Sequence, residues 1–168
     1  MVLAPACLAA LEAAEHGRLR ELERILLESP ETASCADTDG YTPIHRASYN
    51  GHIKTIELLL AHKADPTALT NDGWLPLHCA AKWGFAGVVQ MLLNLGAGSV
   101  NATTHGGQTP LHLAAASGER GYNVIMLLIS WPHVQLNARN SQGDTASDIA
   151  RRHLPYGMTN MLDRLSDS

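Results

Sequence analysis

Gly73-Trp74-Leu75-Pro76-Leu77-His78-Cys79-Ala80-Ala81 decides how the whole chain is read, because versions of it stand on both sides at nearly constant spacing. Gly40-Tyr41-Thr42-Pro43-Ile44-His45-Arg46-Ala47 precedes it and Gly107-Gln108-Thr109-Pro110-Leu111-His112-Leu113-Ala114 follows it. Gly143-Asp144-Thr145-Ala146-Ser147-Asp148-Ile149-Ala150 is a degraded fourth copy. The leading glycines lie 33 (40 to 73), 34 (73 to 107) and 36 (107 to 143) residues apart. A period in this range marks units that cannot bury their apolar faces alone and therefore stack.

Each copy carries the same local instructions. Asp39-Gly40 and Asp72-Gly73 ask for a tight turn with positive φ. Thr42 and Thr109 can cap a helix, and Pro43, Pro76 and Pro110 stand at its first position, where a missing N–H is harmless. A glycine (51, 84, 118) then closes the first helix, and apolar residues at helical spacing predict second helices over 53–62, 88–95 and 122–130. The third copy has Leu75 where the others have Thr, and an N-cap hydroxyl is worth about 1 kcal/mol, so this unit is expected to be the weakest capped unless Asp72 or a water substitutes. The longer last step places an extra residue after Gly118 and another near Trp131-Pro132, in loops.

The ends read as caps. Residues 8–16 and 19–28 predict two short helices around Gly17, with Leu8, Leu11, Leu19, Leu22, Ile25 and Leu26 as the apolar face and Glu12, Glu15, Glu21, Glu23 and Glu28 outward. In the last unit Asp148 replaces His, Arg151, Arg152 and His153 make the helix end polar, and 158–165 predict a final helix. The expected organisation is one all-α domain over 1–168 of about five units: an N-terminal cap (1–36), full repeats at 37–69, 70–103 and 104–139, and a C-terminal cap (140–168).

Composition narrows the function. With 45% apolar and 17% charged residues the chain can bury a core, and only eight residues are aromatic (three Trp, four Tyr, one Phe), which favours small-residue helix packing. The net charge of -4 comes from residues 1–38, and no basic stretch suggests nucleic-acid contact. Cys7, Cys35 and Cys79 are odd in number without CxxC spacing, which reads as small buried hydrophobes in a reducing compartment. The apolar start lacks a basic region, is broken by Pro5 and runs into Glu12, so no signal peptide is expected. No stretch approaches a membrane span, and the expectation is an intracellular monomer in the nucleus, the cytoplasm or both.

His45, His78 and His112 recur once per unit. Neighbouring helices lie about 8–10 Å apart, too far for ligands about 2 Å from one zinc, so a structural role is expected and no metal. GxSxG, GxxxxGK[ST] and HExxH are absent, and neither catalytic residues nor a cofactor is expected.

The words TPIH, LPLH and TPLH, with Leu59-Leu60, Leu92-Leu93 and Leu127-Leu128, resemble the pattern xDGxTPLHxAAxxG followed by LLxxGAxxxNA of ankyrin repeats over nearly the whole chain. The resemblance implies an all-α solenoid of helix-turn-helix units with outward hairpins. It also implies imidazoles bonded to Thr42 and Thr109 and to the adjacent hairpin, with His78 short of one partner. A non-enzymatic protein-binding module is the expected function, an adaptor or scaffold in transcriptional or signalling regulation, with the partner on the concave face and hairpin tips. By position, contacts would fall on Thr38, Asp39, Tyr41, Tyr49 and Asn50; on Asn71, Asp72, Trp74, Lys82 and Trp83; and on His105, Gly106, Gln108, Ala116 and Ser117. Tyr41, Tyr49, Trp74 and Trp83 are read as two positions shared by adjacent units that would form stacked rows, while Arg46 and Lys82 favour an acidic or mixed partner surface. LPLHCAAKWG and GDTASDIAR also resemble ankyrin-type cyclin-dependent kinase inhibitors, which offers kinase docking as an alternative, although those shorten the first helix of their second repeat and 45–50 here is full length. Asn101 resembles the sites that asparaginyl hydroxylases modify, and Asn137 does so less closely.

Overall fold

Proline sets where the first helix of each central unit begins. The computed structural model describes residues 3–154, and in it α3 (Pro43–Tyr49), α5 (Pro76–Trp83) and α7 (Pro110–Ala115) all start on proline. Turns at Gly51, Gly84 and Gly118, all with positive φ, fold the chain back into α4 (Ile53–Ala61), α6 (Ala86–Asn94) and α8 (Tyr122–Ile129). A first pair, α1 (Pro5–Glu15) and α2 (Leu19–Glu28), precedes them, and α9 (Ala146–His153) follows. Among the described residues every regular element is helical, which makes the architecture all-α. The helix expected over 158–165 lies outside the described residues.

Two rows of helices result. The first helices of successive units pack in series, α1 on α3, α3 on α5, α5 on α7 and α7 on α9, and the second helices approach one another less closely. Small side chains make the inner row tight: Ala13, Ala14, Ala47, Ala80, Ala81, Ala114 and Ala150 are fully buried. Between the rows lies one continuous core, in which Leu22, Ile44, Ile56, Leu59, Leu77, Leu92, Leu111 and Leu128 are out of contact with solvent. Turn glycines sit under the next unit. A Cβ on Gly51 would collide with the Phe85 ring, so this position needs glycine for space as well as for its φ of 75°. The extra residue after Gly118 is taken up by the 3-10 helix Gly118–Gly121.

The hairpins are built on a repeated anchor. Asp37, Thr70, Thr104 and Asn140 each accept side-chain bonds from their own hairpin's amides and donate their backbone N–H to the carbonyls of Tyr41, Trp74, Gln108 and Asp144. One backbone bond then joins each hairpin to the next: Asn71 N–H to Asp39 O, His105 N–H to Asp72 O and Ser141 N–H to Gly106 O, at 2.9, 2.9 and 3.0 Å. Gly40, Gly73, Gly107 and Gly143 supply the positive φ of these turns.

Two sequence expectations are corrected. Cys7 and Cys35 form a disulfide, with Cα atoms 5.9 Å apart, and only Cys79 is a free buried thiol. The 3-10 helix Pro30–Ser34 packs against both α1 and α2 and returns the chain so that Cys35 meets the start of α1, a closure that cysteine spacing cannot reveal. The cysteine argument for a reducing compartment therefore falls. Leu8 and Leu19 are exposed instead of facing the core, because the buried stripe of α1 runs through Cys7, Ala10, Leu11 and Ala14 and that of α2 through Leu22, Ile25 and Leu26.

Leu75 lacks a cap hydroxyl, but its side chain is 7% exposed and lies in the core, where a Cβ on Gly98 would stand 2.9 Å from Leu75 Cδ1. The His78 amide turns to the Leu75 carbonyl at 2.9 Å instead. Leu75→Thr would gain a cap worth about 1 kcal/mol and lose apolar burial worth about 1.5–2 kcal/mol. Urea denaturation is expected to show this variant slightly less stable than the parent, and a clear stabilisation would contradict the packing role.

Candidate functional site

Buried imidazoles fix the hairpins relative to the helices. His45 Nδ1 accepts from the Thr42 amide at 3.2 Å and meets Thr42 Oγ1 at 2.9 Å, and its Nε2 reaches the Trp74 carbonyl of the next hairpin at 3.0 Å. His112 repeats this with Thr109 N and Oγ1 at 3.2 and 2.7 Å and Asp144 O at 3.0 Å. His78 keeps only the Leu75 amide at 3.0 Å and the Ala102 carbonyl at 2.9 Å. An Nδ1 that accepts from an amide leaves the ring proton on Nε2, where it can donate to the carbonyl, so each ring is a neutral tether, His45 and His112 to the next hairpin and His78 to the loop that leads into it. Asp148 keeps the half of this arrangement internal to its unit, bonding Thr145 N and Oγ1 at 2.9 Å, and those bonds hold its carboxyl below the usual range.

Burial pushes all three imidazoles below their usual pKa of 6.5, and carbonyl bonds oppose this only in part. The unfolded chain then binds protons that the folded chain refuses, so the stabilisation is complete above the unfolded pKa and is lost as pH falls through 6.5 toward the lowered folded values. Thermal unfolding at constant ionic strength is expected to show a midpoint falling with acid below about pH 6.5. A midpoint unchanged down to about pH 5 would contradict the neutral tethers.

The residues expected to face a partner divide into three groups. Asn50 and Asn71 are engaged within the chain, Asn50 Nδ2 with Arg46 O at 3.0 Å and Asn71 Nδ2 with Thr38 O at 2.9 Å, while Asp72 and His105 are exposed at the hairpin tips. Tyr41, Tyr49 and Trp83 are half-buried in ring contacts. The Tyr49 and Trp83 rings meet at 4.7 Å, tilted by 51°, and Arg120 lies 5.1 Å from the Trp83 ring centre, but Tyr41 turns to His45 and Arg46, and Trp74 to His78, so the expected rows of stacked rings do not form. Arg46 is also consumed, bridging Asp37 at 2.6 Å and Glu15 at 3.7 Å.

Trp74, Lys82 and Gln108, the third group, share a groove of about 320 Å³ with Leu113, Ala116, Asn140, Gln142, Asp144, Ile149, Arg152 and His153. Every lining residue comes from a hairpin or a first helix, so the groove lies on the inner face of the stack. It is built from equivalent positions of three units. Trp74, Gln108 and Asp144 follow the repeated glycine and form one wall; Lys82, Ala116 and Arg152 end the first helices and form the other; Leu113 and Ile149 lie between. Ala116, flanked by two long side chains, leaves the hollow. A bond from Ser117 Oγ to the Lys82 carbonyl fixes α5 against the end of α7.

The share of the last unit in this groove was missed when its polar helix end was read only as a cap. Carrying the position-by-position transfer one copy further, from 108 to 144 and from 116 to 152, would have found it. Among the described residues no group of three His, Cys, Asp or Glu stands together as a metal site would require, and no helix is long and apolar enough to cross a membrane.

The unit geometry has a counterpart in sequence comparison. A family model described as "Ankyrin repeats (3 copies)" matches residues 10–104, and a second, "Ankyrin repeat", matches 106–141. The chain belongs to the ankyrin repeat family. It is similar to ankyrin repeat domain-containing protein 49 of Bos taurus, 47% identical over 60 residues that are 36% of this chain and 25% of that protein. Human Rabankyrin-5 is 49% identical over 65 residues, 39% of this chain and 5% of the relative. The 2-5A-dependent ribonuclease of Mus musculus is 34% identical over 56 residues, 33% of this chain and 8% of the relative. The matches thus cover a quarter or less of these ankyrin repeat proteins.

Asn101 lies in the loop after the second helix of the third ankyrin unit. Both ends of its amide are occupied: Nδ2 donates to His133 O at 2.7 Å, and Oδ1 accepts from Gln135 N–H at 2.8 Å. It bridges two consecutive loops of the ankyrin array.

Proposed function

We propose that this chain is a non-enzymatic module that binds a partner protein along its concave face and hairpin tips, serving as an adaptor. One observation carries the reading: the hairpin-tip row 74/108/144 and the helix-end row 82/116/152 converge on a single groove. Ankyrin repeats mediate binding to other proteins, and a stack of such units offers an extended inner surface. Tryptophan at the wall of such a groove is the residue type that most often dominates binding energy. The match to the 2-5A-dependent ribonuclease covers 8% of that protein and gives no support to catalysis here. The length of α3, seven residues against eight in α5, gives the kinase-docking alternative no support.

The test is site-specific crosslinking in cell extract. A photoreactive residue replacing Gln108 in the groove is compared with one replacing the exposed Gln90 on α6, a second helix outside it. The expected result is a discrete protein adduct from position 108 that the Trp74→Ala substitution suppresses. Adducts of equal yield from both positions, or from 90 alone, would overturn the reading.

A further inference from the structure

Accepting that the groove binds a partner protein, we infer that its ligand is an extended segment presenting a carboxylate next to an apolar side chain. The inference rests on how charge and hydrogen bonds are already distributed among the groove's own residues.

The groove holds four ionisable side chains, Lys82, Asp144, Arg152 and His153. Asp144 and Arg152 neutralise each other, with guanidinium and carboxylate 2.5 Å apart. Lys82 has no carboxylate partner among the described residues, so the helix-end wall keeps an uncompensated positive charge beside the ion pair that spans the groove. This stands out in a chain of net charge -4. Arg46 is held between Asp37 and Glu15 and Arg120 lies over the Trp83 ring, and neither lines the groove.

Asn140 supplies a second, independent sign. It lines the same groove while only 6% exposed. Its Oδ1 accepts from the Gln142 and Asp144 amides at 2.9 and 3.0 Å, which fixes the side chain, and its Nδ2 is buried without an acceptor. A buried donor left unmatched is uncommon in native proteins and marks a place where an acceptor from outside would be rewarded. An ammonium and an orphaned amide on one groove call for an acceptor that is negatively charged. Leu113, Ile149 and the Trp74 ring provide an apolar bed beside them, which suits an aliphatic neighbour of the acidic residue.

The probes are three pools of short peptides with random flanks and a central Leu-Glu, Leu-Gln or Leu-Lys pair, titrated into the full chain and followed by amide and indole chemical shifts. The Leu-Glu pool is expected to move the Trp74 indole and the Gln108 side chain, and to bind about fivefold more tightly than the Leu-Gln pool, the strength of one partly exposed ion pair. Lys82→Glu should reverse the order, favouring Leu-Lys. Asn140→Asp removes the orphaned donor yet keeps the hairpin acceptor, as Asp37 does at the equivalent position, and should weaken the Leu-Glu pool selectively. Unchanged thermal transitions of both variants exclude misfolding. Equal binding of Leu-Glu and Leu-Gln, or no reversal in Lys82→Glu, would overturn the acidic-ligand inference. If that happens while crosslinking from position 108 succeeds, the partner-binding reading stands and only the ligand chemistry is wrong; if crosslinking fails as well, both fall.

Discussion

Reduction of the Cys7–Cys35 bond is expected to lower the stability of the chain by about 3–4 kcal/mol, the loop-closure value for a sequence separation of 28. The bond ties the start of α1 to the segment leading into the first hairpin, and it restricts the unfolded chain more than it adds contacts to the folded one. Stacked units interact only with their neighbours, so the loss should fall first on α1 and α2 and appear as early fraying of that end. The reductant has no other disulfide to open, because the remaining cysteine, Cys79, is a buried free thiol. Urea denaturation with and without dithiothreitol measures the effect, and a Cys7→Ser/Cys35→Ser variant should match the reduced protein and ignore the reductant. A shift below about 1 kcal/mol on reduction would mean that the bond contributes little.

Loss of an imidazole tether should be nearly as large, and unequal between units. His112→Ala removes the acceptor of the Thr109 amide, the contact with Thr109 Oγ1 and the donor to Asp144 O, all in a site where His112 itself is 1% exposed. Buried groups left unsatisfied cost about 1–3 kcal/mol each, and water can recover part of this, so about 3 kcal/mol is expected. His78→Ala removes one contact fewer, because Leu75 has no hydroxyl, and should cost about 2 kcal/mol. Equilibrium denaturation of the two variants should keep this order. The reverse order would show that these rings act as packing alone.

Repeat words made the helical stack legible because the features that specify it are local. Proline at the helix start, glycine in the turn and Thr-x-x-His across the cap each act within a few residues, and copies at constant spacing reinforce one another. What stayed hidden depends on contacts between distant positions. Nothing in the spacing of Cys7 and Cys35 reveals that the 3-10 helix Pro30–Ser34 returns the chain to α1. Leu75 reads as a damaged cap until Gly98 is seen packed against it. Tyr41 and Trp74 both follow a turn glycine, but Tyr49 stands nine residues after its glycine and Trp83 ten, so the second pair is not equivalent. Ring orientation also depends on partners such as Arg46 and Arg120, which separate Tyr41 and Trp83 from the groove that Trp74 lines. The groove itself needed the degraded last copy, whose Asp144 and Arg152 occupy the same positions as Gln108 and Ala116.

The central claim is that a partner lies along the inner face, between the hairpin tips and the ends of the first helices. Amide hydrogen exchange, followed on the free chain and on the chain bound to the protein trapped from position 108, tests it most directly. The account predicts added protection in 74–83, 108–116 and 142–152, with α4 and α6 exchanging as in the free chain. Protection confined to the second helices α2, α4, α6 and α8, with the groove segments unchanged, would contradict it.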